Sequence, residues 1–142
     1  MRLPSELPAA DTRETAEGKS MLEQGLRLTI GDQPPHEPFP GVEVWSISSD
    51  TMMLALIRLA PDAVVPPHEH DNEQCGTVVS GTMTLSIGDV TRAMTAGQGY
   101  LIPPGVTHTA TAGPEGSLVI DVFAPPREAY RMPAETRSSD DE

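Results

Sequence analysis

Proline and glycine cut this chain into short pieces, and no long element survives between them. Fifteen Pro and twelve Gly occur in 142 residues, and they fall between apolar runs rather than inside them. Such punctuation predicts many turns and short elements, and argues against a helical bundle. The runs themselves read as strands. Met21–Ile30 contains the alternation Leu26, Leu28, Ile30, as in a half-buried strand. Gly31–Pro40 carries four prolines and reads as a loop. Val42–Ile47 alternates, and Met52–Leu59 is an apolar run of strand length. Pro66 and Pro67 hold Val64–His70 extended. Gln74–Val79 and Thr82–Ile87 read as two strands joined by a hairpin turn at Ser80-Gly81. Val90–Met94, Gly99–Ile102, Thr107–Ala112 and Ser117–Phe123 complete the series, and Pro125-Pro126 ends it. No segment has a convincing helical period. About eight or nine short strands at regular spacing predict an all-β domain, either a closed barrel or a jelly roll of two antiparallel sheets.

The length suits one domain with one core, placed at residues 21–130. Residues 1–20 are polar and read as a flexible arm, with a short helical stretch around Thr12–Ala16. Residues 131–142 end in S-S-D-D-E and read as an acidic disordered tail. The net charge is −12, with one Lys and eight Arg. This excludes a phosphate backbone as the natural partner and disfavours an anionic membrane surface. Cys75 is the single cysteine, so no intrachain disulfide forms. No signal-peptide pattern is visible at the N-terminus, and no apolar run approaches a bilayer span. A cytoplasmic protein with a small-molecule substrate is the expectation.

His68-Glu69-His70 is the first chemical signal. Two residues at i and i+2 on a strand share a face, and Gln74 shares it too if no bulge intervenes. His108 follows the rigid turn Pro103-Pro104-Gly105. Three imidazoles and one carboxamide oxygen can then converge on one ion, and imidazole suits Zn, Ni, Fe and Cu. Two histidines at this spacing also occur as a surface pair after a proline turn, and the pair alone does not separate the two readings.

The surrounding residues do. Asp62-x5-His68-x-His70-x3-Gln74-x6-Gly81 and Gly97-x5-Pro103-x-Gly105-x2-His108-x3-Ala112 resemble the two motifs of the cupin superfamily in every spacing. Asp62, Gln74 and Ala112 stand where those motifs carry Gly, Glu and Asn. The resemblance implies a cupin β-barrel with one divalent metal ion, Zn, Ni, Fe or Mn. Gln74 in place of a carboxylate leaves the site charge at +2, which makes the ion a stronger Lewis acid toward a bound oxygen. Glu73 is a weaker candidate ligand, because its side chain should face the other way.

A second constellation lies in V-I-D-V-F-A-P-P-R, residues 119–127. Asp121 and Phe123 share a face, and Arg127 follows the Pro-Pro turn. With His68-x-His70-x-x-Glu73-Gln74, this segment is similar to the small KdgF-like cupins of pectin and alginate catabolism. Those enzymes open the ring of 4,5-unsaturated uronates to a linear keto form. The resemblance implies metal ligation by His68, His70, Gln74 and His108. It implies a proton shuttle at Asp121, a carboxylate grip at Arg127 and a cavity wall at Phe123.

The function expected is therefore a metal-dependent, non-redox isomerase, lyase or cyclase acting on an oxygen-rich carbonyl or enol substrate. Met52, Met53, Met83, Met94 and Trp45 read as core; a greasy cavity would instead suit an aromatic guest, as in cupin polyketide cyclases. The same ligand set would also serve a metal-dependent dioxygenase, or a binding cupin without catalysis. Cupins commonly pair as homodimers, and Leu26–Ile30 is the candidate for an exchanged strand. His36 reads as a surface residue in a proline loop. Cys75 should point away from the metal, into a core layer.

Overall fold

The computed structural model describes residues 24–132. The expected arm, its helical stretch and nearly all of the acidic tail lie outside the described residues. Eight strands follow one another: β1 (His36–Phe39), β2 (Val42–Ser48), β3 (Met53–Leu59), β4 (Val64–His68), β5 (Glu73–Ile87), β6 (Val90–Thr95), β7 (Gly99–Ile102) and β8 (His108–Ala124). A 3-10 turn at Glu128–Tyr130 comes after β8. Among the described residues no helix is long and apolar enough to cross a membrane.

All ladders are antiparallel, and β5 and β8 run together along nearly their whole length. Each of these two strands serves two layers. The first half of β5 and the second half of β8 pair with each other, with β7 and with β3, and β3 continues to β2 and β1. The second half of β5 and the first half of β8 pair with each other, with β6 and with β4. The result is the expected jelly roll of two antiparallel sheets, joined through two shared strands.

The bend between the layers is built from glycine. Register shifts between Val78 and Ser80 and again between Gly81 and Met83. Gly81 sits at φ +78°, and a Cβ there would lie 2.8 Å from Ser117 Cα and overlap the Gly116 carbonyl. Only glycine meets both demands. The hairpin turn expected at Ser80-Gly81 is thus a bulge inside one continuous strand. The break expected between Ala112 and Ser117 is likewise absorbed within β8.

Inward faces alternate as period-2 patterning dictates. Val42 and Val44 of β2, Met53, Ala55, Ile57 and Leu59 of β3, Val78 of β5, and Val119 and Phe123 of β8 are all buried. Each large apolar side chain among them contributes about 1.5–3 kcal/mol on leaving water. Trp45 is buried on the other face of β2, where its indole N–H donates to Gln33 O at 2.8 Å and Arg58 covers the ring.

Three local expectations change. Part of the proline loop is a strand: β1 pairs with β2, His36 opposite Val44 and Phe39 opposite Val42. As an edge strand it accommodates Pro38 without breaking a central ladder. Leu26–Ile30 is not a strand within this chain, and it pairs with none of the eight strands. Leu26 instead lines a groove on the outer face together with Ile47, Leu54 and Val122. Cys75 points away from the histidines, but it is exposed on the outer face rather than set in a core layer.

Candidate metal centre

β4 and β8 meet at one end of the smaller sheet with His68 directly opposite His108. Their ring centroids are 4.2 Å apart. His70 follows in the link between β4 and β5, with its ring 5.5 Å from His68 and 4.9 Å from His108. This link is pinned twice. Gly105 N donates to His70 O at 2.9 Å, so the Pro103-Pro104-Gly105 turn holds it from one side. The Asn72 amide donates to Pro125 O at 2.7 Å and Pro126 O at 3.1 Å, tying it to the segment that carries Arg127.

Each imidazole is oriented by its own backbone. The Nδ1 atoms face Pro66 O at 2.7 Å, Asn72 O at 3.1 Å and Val106 O at 2.8 Å for His68, His70 and His108. A carbonyl accepts only, so Nδ1 of His68 and His108 carries the proton and their Nε2 offers a lone pair, whereas both nitrogens of His70 face acceptor oxygens. One ligand atom from each ring lies within 4.8 Å of the others, and this is the group of three or more His, Cys, Asp or Glu able to hold an ion among the described residues. His68 Nε2 and His108 Nε2 are buried with no hydrogen-bond partner. Buried lone pairs without partners are costly, and a cation at their focus would satisfy them. Burial pushes the His68 pKa down to about 4, and it lowers those of His70 and His108. The rings are therefore neutral near pH 7, the form that ligates metal. The donor set fits a divalent ion.

Gln74 enters from the larger sheet. It is buried at the start of β5, and its Oε1 lies 3.1 Å from His70 Nε2. It lines the same cavity as Asp121, whose carboxyl pKa its side chain lowers. Glu73 is exposed, as its alternate position requires. His36 is on β1 and does not join the cluster.

Asp121 is buried on β8, and Tyr100 Oη donates to its Oδ1 at 2.6 Å. Burial pushes the Asp121 carboxyl up to about 6, against the opposing pull of the Tyr100 and Gln74 hydrogen bonds and the Arg127 charge. Burial also raises the Tyr100 hydroxyl, with the Asp121 charge next, so the phenol keeps its proton. Phe123 is fully buried and packs edge-on against His70 and Tyr130, at 5.8 and 5.5 Å between centroids. Its contribution is made through those rings. The Arg127 guanidinium stacks on the Tyr130 ring at 4.0 Å, and the buried Ser46 hydroxyl donates to Tyr130 O at 2.7 Å to anchor that turn.

His68, Gln74, His108, Tyr100, Asp121, Arg127 and Tyr130 line one cavity, floored by apolar side chains such as Ile57, Met83 and Leu85. Its volume is about 40 Å³, near the ~30 Å³ share of one water and far below the ~150 Å³ that admits benzene. Met53, Met83 and Met94 are therefore core as read, whereas Met52, just before β3, is 53% exposed. Tyr100 and Tyr130 carry no motif that singles them out in the sequence. A glycine inside a strand, Gly76, was the available signal for Tyr100, since it marks a close approach.

An antiparallel double-layered barrel with three convergent histidines on β4, its following link and β8 defines a class, and comparison places the chain in it. The chain belongs to the cupins: the Cupin domain family matches residues 55–123. The KdgF pectin degradation protein of Dickeya dadantii is 31% identical over 107 residues, spanning 73% of this chain and 97% of that protein. The structure of KdgF from Halomonas superposes with a TM-score of 0.68 at 26% identity, over 73% of this chain and 96% of that one. The H2HPP isomerase of Bacillus subtilis is 46% identical over 66 residues, but the match spans only 28% of its length.

Proposed function

We propose that this cupin is a metal-dependent, non-redox isomerase that opens the ring of an unsaturated uronate-like substrate. The observation that carries the reading is Asp121. A buried carboxyl with a pKa near 6 shares one cavity with the histidine cluster and with Arg127. Similarity to KdgF over nearly that protein's whole length supports the substrate class.

Opening a cyclic enol ether of this type takes a proton from a hydroxyl, breaks the ring C–O bond and returns a proton to the enol carbon. Electron pairs move within the substrate, and nothing is oxidised. Asp121 takes the first proton and gives the second, since a group titrating near neutrality works in both directions. Arg127, held flat on Tyr130, pairs with the uronate carboxylate in bidentate fashion. His68, His70, Gln74 and His108 would hold the divalent ion, whose charge offsets negative charge developing on a substrate oxygen. Apolar side chains close the barrel below, so the substrate stays at the polar mouth. That disfavours a bulky aromatic guest deep in the barrel.

The test is loss of the enol chromophore of a 4,5-unsaturated uronate, followed with metal-loaded protein in air and without oxygen. Equal rates in both support the reading; oxygen-coupled loss replaces it with a dioxygenase, and no loss removes the substrate. Pairing of two chains remains a proposal, supported by the outer-face row Leu54, Val122, Cys75 and Leu101, with Leu101 57% exposed. A monomer in sedimentation at high concentration removes it.

A further inference from the structure

Tyr100 and Asp121 lie on strands that are not paired with each other. β7 and β8 flank β5 on opposite sides, and both residues are in register with Gly76 of the strand between them. All three positions face the barrel interior. A Cβ at position 76 would overlap Asp121 Oδ1 and lie 2.8 Å from Tyr100 Oη. With no side chain there, the phenol reaches over the middle strand and donates to the carboxylate at 2.6 Å.

Gln74 lies two residues before Gly76 on the same face of β5 and lines the same cavity as Asp121, whose carboxylate its side chain stabilises. A carboxylate only accepts, so it must receive the amide NH2 of Gln74, not its oxygen. The amide oxygen is thereby turned outward, where it stands 3.1 Å from His70 Nε2. An amide left to itself has no such preference between its two ends. The chain of donors and acceptors is Tyr100 hydroxyl, Asp121 carboxylate, Gln74 amide and then the histidine focus.

We propose that Tyr100 is a positioning residue for the metal centre: acting through Asp121 across the side-chain-free position Gly76, it fixes the Gln74 amide with its oxygen toward the three imidazoles. This rests on the reading of the cluster as a metal centre and is independent of the substrate. Partners at one remove from a ligand typically change metal affinity by 10–100-fold.

Co(II) binding to the full chain tests it, by affinity and by the visible absorption of the bound ion. Tyr100→Phe keeps the ring and removes only the hydroxyl. It is expected to weaken Co(II) binding about tenfold and to move the absorption toward that of Gln74→Ala. In a Gln74→Ala background, the same change is expected to cost less than about twofold, because the two act through one path. Unchanged affinity in Tyr100→Phe, or an equal loss in both backgrounds, overturns the role. A readout on the unaltered protein covers a variant that does not fold. The proton of the Gln74 side-chain NH2 that faces Asp121 should be protected from exchange with water, and exchange as fast as that of an exposed glutamine amide overturns the proposal. Unaltered protein that takes up no Co(II) overturns the metal centre itself, whereas normal uptake with no Tyr100 effect leaves that centre standing.

Discussion

His68 and His108 face each other across the β4–β8 ladder, each with Nδ1 committed to a backbone carbonyl and Nε2 buried without a partner. The β4–β8 ladder thus sets the spacing of the two lone pairs.

Removing one ring should therefore remove the ion. His108→Ala is expected to lose stoichiometric metal by elemental analysis and turnover with it. Excess ion at about one hundred times Kd should stabilise the unaltered protein by about 2.7 kcal/mol, and should leave His108→Ala unmoved in a thermal melt. Full metal content in the variant would contradict the ligand assignment.

Acid should destabilise the ion-free protein. The three histidines have folded pKa values below 6.5, with His68 near 4. Their contribution is complete above 6.5 and is lost as pH falls toward 4, where the unfolded chain binds more protons. Asp121 works the other way: its folded value near 6 exceeds 3.8, so its contribution grows as pH falls from 6 to 4. Three groups oppose one. Denaturant midpoints of chelator-treated protein should drop between pH 6.5 and 4.5; a flat or rising profile would refute the balance.

Gly76→Ala should be costly for so small a change. The added methyl overlaps Asp121 Oδ1 and crowds Tyr100 Oη. Overpacking of this kind costs about 1–3 kcal/mol, to be read from the shift in denaturant midpoint. A shift below half of that would mean the strands part easily.

Arg127→Lys keeps the charge and loses the planar fork that stacks on Tyr130. For a carboxylate substrate, KM should rise about tenfold, matching loss of a charged hydrogen bond, with a smaller effect on kcat. A kcat loss with unchanged KM would assign Arg127 to the chemistry rather than to binding.

Much of the site was legible because its residues are tied by short spacings. His68-x-His70 and Gln74 stand within seven residues, and the Pro103-Pro104-Gly105 turn announces His108. Asp121, Phe123 and Arg127 were legible only as part of a resemblance. What escaped was whatever depends on register between distant strands. A tyrosine in an alternating strand reads as core, and only the shared register of Tyr100 and Asp121 with Gly76 makes it a partner. Ser80-Gly81 reads as a turn because local rules see a flexible pair. They do not see the Gly116 carbonyl pressed against it, or the ladder that resumes at Met83. Leu26–Ile30 has the alternation of a strand, but alternation alone does not bring a segment into a ladder.

The two long strands have a consequence for how the protein comes apart. His68 and His108 belong to one leaf of the sandwich, and Gln74 and Asp121 to the other. An ion held by both leaves acts as a clasp at the open end, opposite in kind to the glycine hinge at Gly81. Spreading the leaves would part Gln74 from His68 and His108. Amide exchange at the start of β5 should slow when the clasp is closed.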